Sequence, residues 1–262
     1  MRCELTSVAR TLAVGVVVPV HNEQESLGSA FAALTHAFER LSRWNLSLRA
    51  AVVLDACSDV SEALSREWQC TLARSQSPLE VTVVTCAAKN VGHARALGCA
   101  ALLAQWSRID PSRIWLATTD ADSRVPKDWL ATQVIQREAG VDHWSGRVSV
   151  ADWSEHLDET RLRWQDEYER ENQPIHGANL GFSAAAYLLA GGFEPLETGE
   201  DRALHHALIA HGACSYFDSA IPVVTSARRR ARAPLGFAHA LDVISSTPRA
   251  RHELSPSTTF IC

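Results

Sequence analysis

Ile114-Trp115-Leu116-Ala117-Thr118-Thr119-Asp120-Ala121-Asp122 runs from an apolar, strand-like stretch into two carboxylates one residue apart. In an open α/β sheet the carboxyl ends of the strands face the ligand crevice, which places this acidic pair in a cleft. Carboxylates that close repel one another unless a cation neutralises them. A hard divalent ion, held by one or two carboxylates and completed by substrate phosphates and water, suits such a pair. The competing reading is a polar strand-to-helix turn whose last Asp helps to start a helix near Pro126.

Outward from this strand, short β-branched runs alternate with helical patterns, as in a mostly parallel sheet covered on both faces. Strands are expected at Val14–Val20, Leu48–Leu54, Val81–Thr85 and Arg113–Thr119, the first too apolar to be half exposed. Helices are expected at Ser26–Leu41, Ser61–Arg74 and Gly92–Trp106. Beyond Asp122 the rhythm changes. Helices are read at Lys127–Glu138, Arg161–Glu171, Ala184–Ala190 and Arg202–Ala210, a strand at Trp144–Val150 and an extended segment at Gly177–Phe182. A last helix near Phe237–Ile244 follows an Arg-rich stretch.

The 262 residues, 46% hydrophobic and 21% charged, are those of an ordinary globular protein with room for a sizeable core. The net charge of −5 gives no electrostatic case for a nucleic-acid partner. Seven scattered cysteines, with no Cys-x-x-Cys, fit reduced thiols and a cytoplasmic location. No apolar run approaches the ~18–20 residues needed to span a bilayer, so no integral membrane segment is expected.

Four further segments fall where loops follow strands. Pro19-Val20-His21-Asn22-Glu23 leads into a helix; Glu23 suits the helix dipole, while Asn22 and Glu23 at the mouth of the sheet are equally placed for a ribose or base edge. After the second strand, Asp59 reads as a helix cap and Asp55 as an acceptor for a base N–H. Lys89-Asn90-Val91-Gly92-His93-Ala94-Arg95 supplies cations and small residues near a helix N-terminus, a setting for an anion. Neither Gly-x-x-x-x-Gly-Lys nor Gly-x-Gly-x-x-Gly occurs there or after the first strand, which argues against common ATPases and nicotinamide-dependent dehydrogenases. In Gly199-Glu200-Asp201 the acids serve either to start a helix or as a general base facing the small-residue wall of His176-Gly177-Ala178-Asn179 and Gly191-Gly192-Phe193.

Taken in order, Val17-Val18-Pro19-Val20-His21-Asn22-Glu23, Asp55 with Ser58-Asp59, Asn90 to Arg95, Asp120-Ala121-Asp122, Gly177-Ala178-Asn179, Gly191-Gly192-Phe193 and Gly199-Glu200-Asp201 resemble the family-two glycosyltransferases of the GT-A fold. The resemblance spans about Val14 to Ala210 and implies one α/β domain with a Rossmann-like, mostly parallel sheet flanked by helices. Residues 1–225 would form that domain, with a nucleotide-sugar-binding half at 14–122 and an acceptor half at 123–225, and 226–262 an Arg-rich extension. It implies that Pro19, Asn22 and Glu23 line the nucleotide pocket and Asp55 contacts the base, with Lys89 and Arg95 near the nucleotide. Asp120 would hold the ribose and, with Asp122, a Mg²⁺ or Mn²⁺ ion on the diphosphate. Asp201, with Glu200 beside it, would be the catalytic base, and Gly177 and Asn179 would stand on the acceptor side. The second strand ends in Leu54-Asp55, so one carboxylate of the family's usual pair is missing. The Gln-x-x-Arg-Trp segment of processive members is absent as well.

The expected activity is transfer of one sugar, a hexose in the simplest case, from a nucleoside-diphosphate sugar to an acceptor hydroxyl, with inversion favoured and retention open. Arg228 and Arg230 are read either as a solvated tail or as cations closing over the diphosphate. His205, His206 and His239 are optional metal ligands, and a homodimer is kept open. Two rivals remain: a sugar-nucleotide pyrophosphorylase, whose Gly-rich first loop is missing here, and a non-catalytic nucleotide-sugar-binding protein.

Overall fold

The computed structural model describes residues 10–228 together with Leu241, Val243 and Ile244. Arg229, Arg230, Arg232, His239 and most of the helix expected at 237–244 lie outside the described residues, as do Cys3 and Cys262.

Seven strands form one sheet: β1 (Ala13–Val20), β2 (Ser47–Asp55), β3 (Leu79–Cys86), β4 (Ile114–Thr118), β5 (His143–Val150), β6 (Leu180–Ser183) and β7 (Ser215–Thr225). Their order is β3-β2-β1-β4-β6-β5-β7. β1 runs parallel to β2 and β4, and β2 to β3, whereas β6 is antiparallel to both β4 and β5. Because β1 lies between β2 and β4, the connections leave it in opposite directions and open a crevice at its carboxyl end.

Side-chain alternation along β1 divides the core. Val14, Val16, Val18 and Val20 pack with Leu27, Phe31, Leu34 and Phe38 of α1 (Leu27–Glu39) and with Trp129 and Leu130 of α4 (Trp129–Glu138). Ala13 and Val17 point the other way, to Ala94, Cys99 and Leu102 of α3 (Val91–Gln105), and that cluster continues to Leu204 and Leu208 of α7 (Glu200–Ala210). Strands buried on both faces read as continuous apolar runs, which is why β1 and β2 were legible. At Gly98 a Cβ would lie 2.4 Å from Val17 Cγ1, so the missing side chain lets α3 sit directly on β1. The remaining helices are α2 (Ser61–Arg74), α5 (Asp158–Arg170) and α6 (Ala184–Leu189).

Three features differ from expectation. β7 was not anticipated, because Ser215–Thr225 carries Asp218 and Pro222 and only two of its eleven residues are buried; as an edge strand beside β5 it tolerates both. The segment at Gly177–Phe182 is extended only from Leu180, since Gly177–Asn179 form a 3-10 turn. α7 starts at Glu200 rather than Arg202, with Gly199 at φ +81° before it, so both acids occupy the first helical turn. There they favour the helix dipole.

Candidate active site

The mouth of β1 and β2 is held by backbone capture. Asn22, at φ +55°, accepts through Oδ1 from the Ser58 N–H at 2.7 Å, and His21 Nδ1 donates to the Asp55 carbonyl at 2.6 Å. The Asp55 carboxylate is buried and accepts from the N–H groups of Lys89 at 2.8 Å and Asn90 at 2.7 Å. Asn90 then caps α3 by accepting from the His93 N–H. Asn22 and Asp55 therefore shape the loops that follow β2 and β3. Pro19 lies past the last β4 partner of β1, where no ladder bond is asked of its nitrogen. Lys89 is exposed on the rim.

Arg95 is 3% exposed and binds Asp120 Oδ1 at 2.5 Å and also Glu200. This corrects two expectations. Arg95 is not a free cation for the nucleotide, because both its partners are carboxylates of the chain; Glu200 is not a candidate base, because it is buried in an ion pair. Burial pushes the Glu200 carboxyl up in pKa while Arg95 pulls it down, with a net rise. Burial disfavours the Arg95 charge, but Glu200 and Asp120 more than offset it, so the guanidinium is held more firmly protonated. Gly177 is required beside it: a Cβ there would fall 2.0 Å from Arg95 Nη1. On the other side Asp201 Oδ2 accepts from the Gly177 N–H at 2.8 Å, and Oδ1 from the Arg202 N–H at 2.8 Å. Asp201 is half-buried. Asp120, Gly177, Glu200 and Asp201 thus share one small framework around Arg95.

Asp122 faces a second arginine-carboxylate cluster. Arg228 donates to both carboxylate oxygens of Glu23, at 2.7 and 2.6 Å, and lies 3.2 Å from Asp122 Oδ2. Burial pushes the Asp122 carboxyl up to about 7 against the pull of Arg228, with Asp120 and Glu23 adding to the rise. Glu23 and Arg228 are each other's bidentate partners, so Glu23 does not line an open pocket as expected, and Arg228 is neither a solvated tail nor a free cation for a diphosphate. A pocket of about 230 Å³ opens beside the cluster, lined among others by Glu25, Ser26, Arg124 and Asp152.

Asn179 does not face an acceptor. It is fully buried, accepts from Trp129 Nε1 at 2.8 Å and Trp144 Nε1 at 3.3 Å, and donates to the carbonyls of Arg147 and Ile221. With its hydrogen bonds taken, it ties α4, β5 and β7 together. His205 is likewise engaged: His143 Nδ1 donates to the Gly181 carbonyl, which leaves its Nε2 to accept from His205 Nδ1 at 2.8 Å. Among the described residues no cluster of three or more His, Cys, Asp or Glu side chains can enclose a metal ion, and His205 is bound to His143 with its ring against that of His206. Asp120 and Asp122 alone fit an ion that takes one or two carboxylates and leaves its remaining positions to phosphate and water. Tyr168 was not singled out by pattern and His176 only as part of the small-residue wall; the two meet at 2.8 Å, with His176 in the field of Asp201.

Burial, reinforced by His205, lowers the His143 pKa to about 4. An unfolded imidazole titrates near 6.5, so between these values the unfolded chain binds the extra proton. Stability from this group is complete above pH 6.5 and is lost as the pH falls towards 4. About 2 kcal/mol should disappear between pH 7 and pH 5. Urea unfolding at the two pH values should show His143→Gln losing that much less than wild type; an unchanged difference would assign the acid sensitivity elsewhere.

A doubly covered α/β sheet with acidic and backbone-donor loops gathered at the carboxyl ends of β1, β2 and β4 defines a GT-A-type nucleotide-binding fold. Residues 15–189 match the glycosyl transferase family 2 model, and the chain belongs to that family. Mannosyltransferase PcManGT from Pyrobaculum calidifontis, solved with GDP-Man and Mn²⁺, superposes with a TM-score of 0.61 at 19% identity, over 91% of this chain and 62% of that one. The 1–349 fragment of TarS from S. aureus gives 0.57 at 11% identity, over 82% of this chain and 61% of that one, so the protein spans about three-fifths of that fragment. Glucosyl-3-phosphoglycerate synthase from Mycobacterium tuberculosis, in complex with Mn²⁺, UDP and glucosyl-3-phosphoglycerate, gives 0.51 at 15% identity, over 90% and 76% of the two chains. At these identities the likeness is one of fold. No curated protein sequence matches the chain. No helix among the described residues is long and apolar enough to cross a membrane.

Proposed function

We propose that the protein transfers a sugar from a nucleoside-diphosphate donor to an acceptor hydroxyl, with Asp201 as the general base. The observation that carries the reading is the framework around Arg95, which fixes Asp120 at the end of β4 and orients the first turn of α7 through Glu200. Asp201 is left there as the half-buried carboxylate of that turn, tied among the described residues only to backbone N–H groups. Residues 14–122 would bind the donor and 123–225 the acceptor, with 226–262 an extension. Asp55 and Asn22 border the base pocket, where the second lone pair on each Asp55 oxygen can take a base N–H. Mg²⁺ or Mn²⁺ held by Asp120 and Asp122 would neutralise charge on the departing diphosphate.

In the reaction the acceptor oxygen forms a bond to the anomeric carbon as its proton passes to Asp201. The bond from that carbon to the diphosphate oxygen breaks, and its electron pair leaves with the nucleoside diphosphate. One displacement inverts the anomeric configuration. A thermal-shift screen of UDP- and GDP-sugars with Mn²⁺, followed by an assay of nucleoside diphosphate release, tests this reading. Stabilisation with release supports transfer, and stabilisation without release in any acceptor mixture indicates a binding protein.

Arg228 bears on the same site. Its guanidinium holds positive charge against Asp122 and Glu23, so a divalent ion approaching Asp122 meets an established cation. Arg228→Gln should tighten binding of Mn²⁺ alone by about tenfold, the equivalent of roughly one modest ion pair. Electron paramagnetic resonance of free Mn²⁺ reads this directly. Equal affinity in the two proteins would separate Arg228 from the ion's site.

A further inference from the structure

The geometry points to His176 as the residue that orients the acceptor for Asp201, through an Nδ1–H donor whose tautomer is set by Tyr168. This rests on Asp201 being the base.

The argument starts at the Tyr168 hydroxyl, which has one proton to give. Its oxygen accepts from the Val148 N–H at 2.9 Å, and its other neighbour is His176 Nε2 at 2.8 Å. The backbone donor cannot receive a proton, and among the described residues the phenol proton has no acceptor other than His176, so the phenol donates to the imidazole and Nε2 is an acceptor. A neutral imidazole that accepts at Nε2 carries its proton at Nδ1. Burial keeps the ring neutral: it lowers the His176 pKa to about 4, overcoming the upward pull of Asp201 and Asp120, with Arg202 and Arg147 acting in the same direction as burial. Tyr168 is itself fixed, since Arg147 lies 5.0 Å over its ring, donates to its carbonyl and approaches Phe217 from β7. The tautomer is therefore fixed by α5, β5 and β7 together.

What remains is the free edge of the ring. Nδ1 makes no hydrogen bond with any described residue, although the ring is part-exposed and the next residue, Gly177, donates its N–H to Asp201. A neutral N–H donor next to a general base is what an acceptor diol needs. The base receives the proton of the attacking hydroxyl, and the donor holds a neighbouring oxygen, fixing the angle of approach. A charged imidazolium there would instead pair with Asp201 and reduce its basicity.

Two measurements test this. In ¹⁵N-histidine-labelled protein without ligand, His176 should show a protonated Nδ1 and a bare Nε2 at pH 7; the reverse tautomer would overturn the proposal. The second reads how the donor found by the thermal-shift screen divides between glycerol, a simple diol probe, and water, with Mn²⁺ present. This ratio does not depend on the folded fraction. His176→Ala should lower the glycerol-to-water ratio about tenfold. His176→Asn, whose amide N–H replaces Nδ1–H, should recover most of it, whereas His176→Gln, which reaches towards Tyr168 instead, should not. Tyr168→Phe should lower the ratio in the His176 protein and leave it unchanged in the Asn variant. A wild-type ratio in His176→Ala, or equal rescue by Asn and Gln, would refute the role. If Asp201→Asn keeps full turnover, the base reading fails instead, and the ratio still reports on His176 by itself.

Discussion

Asp201→Asn is expected to fold, to bind a nucleoside diphosphate with Mn²⁺ about as tightly as wild type, and to lose turnover by roughly 10²–10⁴, the contribution of a positioned proton acceptor. The substitution keeps the size of the side chain and one carbonyl oxygen, which can still accept from the Gly177 N–H that Asp201 now holds at 2.8 Å. What it removes is the charge that, in the proposed role, takes the acceptor proton. If Asp201 only started α7, the outcome would be inverted, because weakening a first-turn carboxylate costs ~0.3–1 kcal/mol of stability and leaves chemistry alone. Melting temperature and single-turnover rate measured on one preparation separate the two, and retained turnover with a lowered melting point would remove Asp201 from the mechanism.

The second large effect concerns stability. Arg95→Met should cost about 3–5 kcal/mol, because it leaves Glu200 buried without its counter-charge. Glu200 is 4% exposed and its carboxyl is already pushed up by burial, so without Arg95 it would be driven towards the neutral form. The double variant Arg95→Met with Glu200→Gln should recover most of the loss, since no isolated charge remains buried. Asp120 needs no such help, as its side chain is 38% exposed. Urea midpoints for the single and double variants give the coupling directly. Additive losses would mean that the two side chains stabilise the fold independently, against the geometry in which α3 and α7 meet through this pair.

The strands and helices of the first half were legible because each depends on its own period. β1 was expected from Val14 and begins at Ala13, and α2 occupies Ser61–Arg74 as read. Both faces of β1 are buried, so its apolar run is continuous, and α1 shows its stripe at Leu27, Phe31, Leu34 and Phe38. β7 was missed because an edge strand can carry Asp218 and Pro222 without loss. The candidate residues could be placed on their elements, but their partners could not. Arg95 read as a cation near a helix N-terminus, and nothing local announced that Glu200, 105 residues away, would bury it. Asn179 read as a polar residue in a small-residue wall, whereas two Trp indoles from α4 and β5 turn it into a core acceptor.

By itself, then, the sequence determined the alternation of elements, the placing of Asp120 and Asp122 at a strand end and of Asp201 at a helix start, and the family to which their order belongs. Those properties are local, set by periodicity, by turn chemistry and by spacing along the chain. The tertiary structure alone decided which charges cancel. Arg228 reaches Glu23 across 205 residues, Arg95 joins β4 to α7, and Tyr168 meets His176. The strand order β3-β2-β1-β4-β6-β5-β7 brings these groups to one rim. Once they are there, burial makes each unpaired charge costly enough that the pairing, and with it the residues left free for chemistry, depends on contacts that no local pattern encodes.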